Sequence, residues 1–220
     1  MGNALADSVI SKLRVKKFGG KAGSALSKIE KLYPQVKFMV FTEDAWMVCA
    51  AKAVTINDRF SYILVKQGDE YLILAEKRLG EFISRYARGN SPKTQFKTLM
   101  VFSGSELANI ELERPFAEGA GALPVIIDRN LRSSFGTGIH TVSPAHNIED
   151  LKLSYAHNLS RNGCIDHATG YLTQPAVLEG TDISKEREAL DKIKAALSDV
   201  GQLYASYKHS CTEYRMTDEK

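Results

Sequence analysis

Residues 136–150 of the chain read Gly136-Thr137-Gly138-Ile139-His140-Thr141-Val142-Ser143-Pro144-Ala145-His146-Asn147-Ile148-Glu149-Asp150. The segment opens with a glycine turn, continues through small polar residues and a proline, and ends with carboxylates where a helix is predicted to begin. A carboxylate at that place stabilises the positive end of the helix. It can also hold the ammonium group of a ligand beside a pocket wall formed by the turn. The segment therefore predicts a stabilised helix start, a ligand-binding loop, or both.

The sequence around this segment mixes predicted strands with predicted helices. Apolar and alternating runs predict strands at residues 9–15, 36–42, 62–66, 71–75, 96–102 and 123–127. Helical spacing and chain breakers predict helices at residues 25–32, 77–88 and 147–159, and from the N-cap Ser184 to Leu203. We expect a mixed α/β fold with a β-barrel-like core and surrounding helices. One domain is expected over residues 1–220, in which residues 1–35 form a strand, a basic loop and a short helix.

Composition excludes several classes of protein. The chain has 220 residues, a formal charge of +3, 44% hydrophobic residues and 25% charged residues, which excludes a wholly disordered chain. No apolar run reaches the roughly 18 residues that a membrane span needs, and no signal-peptide pattern occurs. The 3 cysteines are too few and too scattered for a disulfide framework. We expect a monomeric chain in the cytoplasm, with an organellar matrix as the alternative, and no membrane contact.

Between Asp7 and Glu30 the sequence has basic residues and no acidic residue. The basic residues are Lys12, Arg14, Lys16, Lys17, Lys21 and Lys28. Such a stretch can bind the phosphates of a nucleic acid. It can equally be an edge strand and loop whose charges keep the protein soluble. Composition leaves both interpretations open.

Histidine and cysteine side chains cluster in the second half of the sequence. The candidates for metal ligation are His140, His146, His157, Cys164 and His167. Only Cys164 and His167 have ligand-like spacing, and no Cys-x-x-Cys pair occurs. The Gly-x-Ser-x-Gly element of a serine nucleophile is also missing from the sequence. We therefore predict no metal site and no covalent nucleophile.

Residues 136–150 resemble the editing-site loop of the class I synthetases for isoleucine, valine and leucine. In that family a Gly-Thr-Gly turn precedes a proline and histidine element and then an aspartate, which falls on Asp150 without a gap. The resemblance implies the editing-domain fold of these synthetases, and it implies that Asp150 binds the α-ammonium group of a misattached amino acid. It also implies that substrate is bound by the loop residues Gly136, Thr137, Gly138, His140, Thr141 and His146.

Further segments are similar to the same family, in the same order. They are residues 38–46, 53–57, 104–116, 124–126 and 207–215. The resemblance therefore covers the chain from about residue 36 to its C-terminus. Trp46 and the closing His209-Ser210 favour the isoleucine enzyme over its valine and leucine relatives.

The resemblance implies a reaction as well as a fold. It implies an editing domain of isoleucine-tRNA ligase that hydrolyses misacylated Val-tRNA(Ile) by attack of water on the aminoacyl ester, without a metal. Thr42, together with Glu43 and Asp44, is then expected to position the water or the terminal adenosine. Trp46 is expected to line the pocket or to stack on adenine, although a single tryptophan is as often part of a core.

Two positions depart from the family pattern. Three consecutive threonines of the family are Thr42-Glu43-Asp44 here, and the family histidine aligns with Thr141, one position after His140. On an extended segment such a shift points a side chain to the opposite face. Glu43 and Asp44 repel an anionic RNA end unless they bind the ammonium group or act as a general base. The alternatives are therefore a weakened or inactive editing fold, kept as a tRNA-end-binding or structural insertion, and a free-standing trans-editing or unrelated ester hydrolase.

The signature elements of aminoacylation do not occur in these residues. The sequence contains no His-x-Gly-His element and no Lys-Met-Ser-Lys-Ser element. We expect an excised editing domain, with ATP and Mg²⁺ used only in a synthetase domain outside this chain and no cofactor within it. The expected partners are the 3′ end of a tRNA carrying a misattached amino acid and the remainder of the parent synthetase.

Overall fold

A computed structural model of the chain describes residues 2–19, 25–33, 35–86, 95–117, 121–132 and 136–213. Its strands are β1 Gly2–Lys17, β2 Lys37–Thr42, β3 Ala53–Ile56, β4 Ser61–Gln67, β5 Glu70–Ala75, β6 Phe96–Ser103, β7 Glu111–Glu113, β8 Ala122–Ile127, β9 His140–Val142, β10 Ile165–Asp166, β11 Tyr171–Leu172 and β12 Leu203–Glu213. Its α-helices are α1 Ala25–Leu32, α2 Leu79–Tyr86, α3 Gly104–Leu107, α4 Ile148–His157 and α5 Glu186–Asp199. Short 3-10 helices lie at Ala45–Ala50, Glu76–Arg78, Pro115–Ala117 and Ala176–Leu178.

Six of the strands close into a barrel. They follow the order β1-β7-β8-β3-β9-β2, and the pairing of β2 with β1 closes the ring. β12 extends the sheet beyond β1, while β5, β4 and β6 extend it beyond β2. The pairs β2–β9 and β3–β8 are parallel, so the carboxyl ends of β3 and β8 lie at the same edge. The predicted mixed α/β fold with a barrel-like core is confirmed.

The two faces of β2 explain why this strand reads as a continuous apolar run. Phe38 and Val40 point into the barrel interior, where they join its apolar core. Met39 and Phe41 point the other way and pack in a second cluster that includes Phe82 of α2. Because both faces are buried, the strand shows no polar alternation.

Two helices cover the outside of the barrel and a smaller core. α4 packs through Leu153 against Ala53 and Val142, on the outer face of β3 and β9. α5 packs through Ile193 and its neighbours against the 3-10 helix that contains Val48.

The apolar spacing predicted from Leu190 to Leu203 marks the buried face correctly at Ile193 and Leu197. It fails beyond the helix end, where Val200 is exposed and Leu203 begins β12.

The predicted N-cap of α5 is wrong. The Ser184 hydroxyl donates to Asp182 Oδ1 at 2.6 Å. The first main-chain bond of the helix runs from the Ala189 N–H to the Lys185 carbonyl oxygen at 2.9 Å, so Lys185 is the N-cap. Asp182 competes successfully for the serine hydroxyl because it lies only two residues away.

Three predicted helices are shorter than expected. α4 ends at His157 because Asn158 is left-handed, with a φ of 50°. α5 ends at Asp199, and Gly201, with a φ of 67°, turns the chain so that Leu203 begins β12. α2 begins at Leu79 because the preceding turn is a 3-10 helix, and the predicted end of this helix at residues 87–88 lies outside the described residues. No helix among the described residues is long and apolar enough to cross a membrane.

Candidate active site

A small pocket lies between the end of β2, strand β9, the loop after β8 and the first turn of α4. It has a volume of about 100 Å³. Predicted site residues in its lining are Thr42, Glu43, His140, Thr141 and Asp150. Lining residues that the sequence analysis missed are Phe41, Met47, Thr55, Asp128, Leu131 and Asn147. We call this site the acidic pocket, because three of its lining side chains are carboxylates.

Asp150 is placed in the acidic pocket by the start of α4. Asn147 is the N-cap of this helix, and its Oδ1 accepts the N–H groups of Glu149 and Asp150 at 2.9 and 3.2 Å. Asp150 Oδ2 accepts the N–H of Ser143 at 2.7 Å. The Ser143 hydroxyl in turn donates to the Met47 carbonyl oxygen at 2.9 Å. The carboxylate is therefore fixed both by its helix and by the loop before it.

The surroundings of Asp150 disfavour its charged form. Burial raises the pKa of Asp150 to about 6, against the lowering effect of the Ser143 N–H. The negative charges of Asp128, Glu43 and Glu149 raise this pKa further. A cationic ligand in the acidic pocket would offset both effects, since it pairs with the half-buried carboxylate and screens its neighbours.

Thr42 and Thr141 join two walls of the acidic pocket. The Thr141 hydroxyl donates to Thr42 Oγ1 at 3.1 Å. Thr42 is buried at the end of β2, and the exposed Glu43 follows it. Asp44 is absent from the pocket lining: it precedes the 3-10 helix Ala45–Ala50 as its N-cap, and its carbonyl oxygen accepts the Met47 N–H at 2.8 Å.

His140 borders the acidic pocket beside Thr141, although the two are consecutive residues of β9. The His140 ring lies 5.1 Å from the ring of Phe41, centroid to centroid. Its carbonyl oxygen accepts the Thr55 hydroxyl at 3.4 Å. Alternation along an extended segment therefore does not remove either residue from the site, because the pocket reaches around this short strand.

The glycine turn lies behind the pocket wall and contributes nothing to its lining. Gly136 and Gly138 have φ values of 59° and 74°, which favour glycine. A Cβ at Gly136 would lie 2.5 Å from Cγ of Phe41, and one at Gly138 would lie 2.4 Å from Cβ of Ala75. Thr137 is fully buried, and its hydroxyl bonds the main chain two residues further on. The turn thus packs closely against β2 and β5.

Trp46 and His146 lie together and are not among the residues that line the acidic pocket. Their rings meet edge to face with centroids 4.9 Å apart. His146 Nε2 accepts the Cys164 N–H at 3.2 Å, and burial lowers the pKa of His146, helped by His167 and Lys52. Burial also raises the pKa of the Cys164 thiol to about 11. Among the residues that the structure describes, no three His, Cys, Asp or Glu side chains form a group that could hold a metal ion.

A larger groove opens beside the acidic pocket and shares Asp128, Leu131 and His140 with it. Its remaining lining residues are Asn130, Arg132, Glu149, Lys152 and Leu153. The groove has a volume of about 630 Å³, in the range of known small-molecule sites. We call it the adjacent groove.

Several cations of the basic N-terminal stretch have acidic partners. The ion pairs are Lys12 with Glu70, Arg14 with Glu113 and Lys17 with Glu111. Lys21 lies outside the described residues. These pairs favour the interpretation that the charges serve the folded protein rather than a phosphate ligand.

The comparisons with known proteins agree with this geometry. No protein-family model matches the sequence. The chain is 30% identical over 158 residues to the isoleucine–tRNA ligase of Ruthia magnifica, covering 72% of this chain and 16% of that enzyme. It is 29% identical over 187 residues to the isoleucine–tRNA ligase of Francisella philomiragia, covering 82% of this chain and 19% of that enzyme. The matched region thus spans less than a fifth of either relative.

Solved structures show the same fold. The editing domain of the cytosolic leucyl-tRNA synthetase of P. knowlesi matches with a TM-score of 0.63 at 12% identity, over 96% of this chain and 98% of that domain. The corresponding domain of P. falciparum matches with a TM-score of 0.53 at 13% identity, over 88% and 86%. The chain thus has the fold of an aminoacyl-tRNA synthetase editing domain. Its sequence relatives are isoleucine–tRNA ligases.

Proposed function

We propose that this domain hydrolyses the ester bond of valine misattached to the isoleucine tRNA, with the amino acid in the acidic pocket. The observation that carries the proposal is the setting of Asp150, a fixed and half-buried carboxylate beside Asp128 and Glu43. An α-ammonium group supplies the positive charge that this cluster lacks. Its binding is strongest where water is excluded, because a desolvated charge pair is weakly screened.

Hydrolysis in this pocket requires only a positioned water and a stabilised transition state. The water oxygen bonds to the ester carbonyl carbon and the bond from that carbon to the ribose oxygen breaks. One proton of the water goes to the ribose oxygen, which becomes a hydroxyl, and the other is released to solvent as the amino acid leaves as a carboxylate. Thr42, held by Thr141, is placed to orient the water. Glu43 lines the same space and is placed to accept a proton from it.

The sizes of the two cavities support a division of the substrate between them. The acidic pocket, at about 100 Å³, admits a small group such as an amino-acid head and a short side chain. The adjacent groove, at about 630 Å³, has room for a nucleoside. A second, smaller pocket that admits valine and excludes isoleucine is useful, because one methylene group changes the binding free energy by only about 1–3 kcal/mol. Discrimination of isoleucine from valine by isoleucine enzymes is the usual example of this limit.

A second candidate function is binding of the aminoacylated tRNA end without hydrolysis. The observation in its favour is the number of carboxylates beside the site, with Glu43, Asp128 and Glu149 all close enough to raise the pKa of Asp150. Negative charge opposes both an anionic RNA end and the oxyanion that forms during hydrolysis. The acidic pocket could then retain affinity for the ammonium group while turnover is lost.

The test is hydrolysis of Val-tRNA(Ile) and Ile-tRNA(Ile) by the wild-type chain, by Asp150→Ala and by Asp191→Asn. Asp191 serves as the control because it lies on α5 and its side chain is 64% exposed. We expect selective release of valine, a loss of about 30-fold or more in kcat/KM for Asp150→Ala, and no change for the control. Binding of Val-tRNA without release would establish the second candidate. Equal rates for wild type and Asp150→Ala would contradict the role of Asp150.

A further inference from the structure

The loop at residues 128–131 is held by the side chain of one buried residue. Asn57 directly follows β3 and is 3% exposed. Its Nδ2 donates to the main-chain carbonyl oxygens of Arg129 at 3.1 Å and Leu131 at 3.2 Å. Both N–H bonds of the amide are therefore used on the loop that supplies Asp128 and Leu131 to the acidic pocket.

Asn57 is itself held on its other sides. Its Oδ1 accepts the Arg59 N–H at 2.9 Å, and its main-chain N–H donates to the Tyr62 hydroxyl oxygen at 2.9 Å. The Tyr62 hydroxyl donates to the Gly138 carbonyl oxygen at 3.0 Å. Burial raises the pKa of Tyr62 to about 12, so this hydroxyl keeps its proton. The loop at 128–131 and the glycine turn are thus anchored to one network.

We propose that Asn57 is a positioning residue, whose side-chain amide fixes the loop 128–131 so that Asp128 and Leu131 form the wall between the acidic pocket and the adjacent groove. Where it concerns turnover, this inference rests on the proposed function. The register explains the location: Ile56 pairs with Ile127 in the parallel strands β3 and β8, so the residues that follow both strands meet.

The chemistry of the amide makes Asn57 hard to replace. Two main-chain carbonyls need two donors from one short side chain, and an asparagine amide supplies both. Aspartate has the same shape but presents acceptor oxygens to acceptor oxygens. Alanine leaves the carbonyl oxygens of Arg129 and Leu131 without this partner in a buried place, which is costly.

Hydrogen exchange tests the positioning role without any substrate. Asn57→Asp and Asn57→Ala are compared with wild type and with Asp191→Asn, a surface change on α5 where the Asp191 side chain is 64% exposed. We expect amide exchange at 128–131 to become about ten-fold faster or more in both Asn57 variants, with β4 and β5 unchanged. The control should stay within about three-fold of wild type. If Asn57→Asp does not fold, Asn57→Ala decides the result.

Titration of Asp150 separates positioning from a general loss of stability. The charged and titratable groups that line its pocket or act on it are Asp128 after β8, Glu43 after β2, Glu149 on α4 and His140 on β9. Release of the loop moves Asp128 away and admits water, so the pKa of Asp150 should fall in Asn57→Ala; Asn57→Asp adds a carboxylate of its own and is therefore compared by hydrogen exchange alone. The acidic limb of kcat/KM should shift to lower pH, with a raised KM. If Asn57 only stabilises the fold, its substitution should lower the melting temperature and leave the pKa of Asp150 unchanged.

The inference is overturned by unchanged exchange at 128–131, by an equal rise in exchange across β4 and β5, or by an unshifted Asp150 titration. These outcomes are independent of turnover. Wild-type protein that hydrolyses no ester, combined with the expected exchange and titration changes, would remove the proposed function and leave the positioning role of Asn57 intact.

Discussion

The hydroxyl of Thr141 on β9 donates to Thr42 Oγ1 on β2 across 3.1 Å, at the point where these two parallel strands border the acidic pocket. The bond connects Thr42, the one threonine kept in the altered threonine peptide, to Thr141, the residue that the resemblance aligns with the family histidine. Thr42 is 1% exposed, so bulk solvent offers its hydroxyl few alternative hydrogen-bond partners. The substituted position Thr141 is therefore in direct contact with the retained threonine.

Removing this bond should weaken both the fold and the site. Thr141→Val keeps the shape of the side chain but cannot donate, so we expect a loss of about 1 kcal/mol in the free energy of unfolding. If Thr42 orients the attacking water, hydrolysis of Val-tRNA(Ile) should also fall by about five-fold or more. Urea unfolding and deacylation rates measure the two effects. Thr98→Val, on the exposed part of β6, is the matched control. Equal behaviour of the two variants would contradict this account.

Asp150→Asn should stabilise the protein at neutral pH. The pKa of Asp150 is about 6 when folded, above its ordinary value of 3.8, so ionising it costs stability as the pH rises between these values. Asparagine avoids this cost and can still accept the Ser143 N–H. We expect a gain on the order of 2–3 kcal/mol in the free energy of unfolding at pH about 7.5, shrinking towards zero near pH 4.

Urea titrations of both proteins at the two pH values measure this difference. Asp150→Asn should therefore be more stable than wild type but unable to hydrolyse the ester, because catalytic residues are often destabilising in the folded protein. A stability difference that does not depend on pH would show that Asp150 is not destabilised by its surroundings.

The glycine turn should tolerate no side chain, whatever its role in catalysis. Gly138→Ala places a Cβ 2.4 Å from Cβ of Ala75 at a φ of 74°, so we expect a loss of about 2 kcal/mol or more. Gly80→Ala is the matched control, because it lies in α2 with nothing within 4 Å of the new Cβ. The control should gain about 0.5–1 kcal/mol from helix propensity. Melting temperatures that move in the same direction would refute the packing argument.

Local patterns in the sequence predicted most of the longer elements. The helix breaker Pro34 correctly predicted that the helix at residues 25–32 ends before it. The polar run 67–70 correctly predicted the hairpin of β4 and β5. Strand β9 was not predicted, because it has only three residues and begins with the polar pair His140-Thr141. Strand β12 was not predicted, because its extended form depends on pairing with β1, which is distant in sequence.

The site shows the same division between local and distant information. Asp150 could be located from sequence, because the helix start that carries it is a local signal. Asp128 and Leu131 could not, since only the parallel pairing of β3 with β8 brings their loop beside the end of β3. The glycine turn was correctly read as tight, but its place behind the wall depends on Phe41 and Ala75.

The central claim is that Asp150 binds the α-ammonium group of the amino acid. The most direct measurement compares hydrolysis of Val-tRNA(Ile) with hydrolysis of the same tRNA carrying the α-hydroxy analogue of valine, by wild type and by Asp150→Asn. We predict that wild type prefers the ammonium substrate by about 30-fold or more and that Asp150→Asn loses this preference. The same preference in both proteins would contradict the claim.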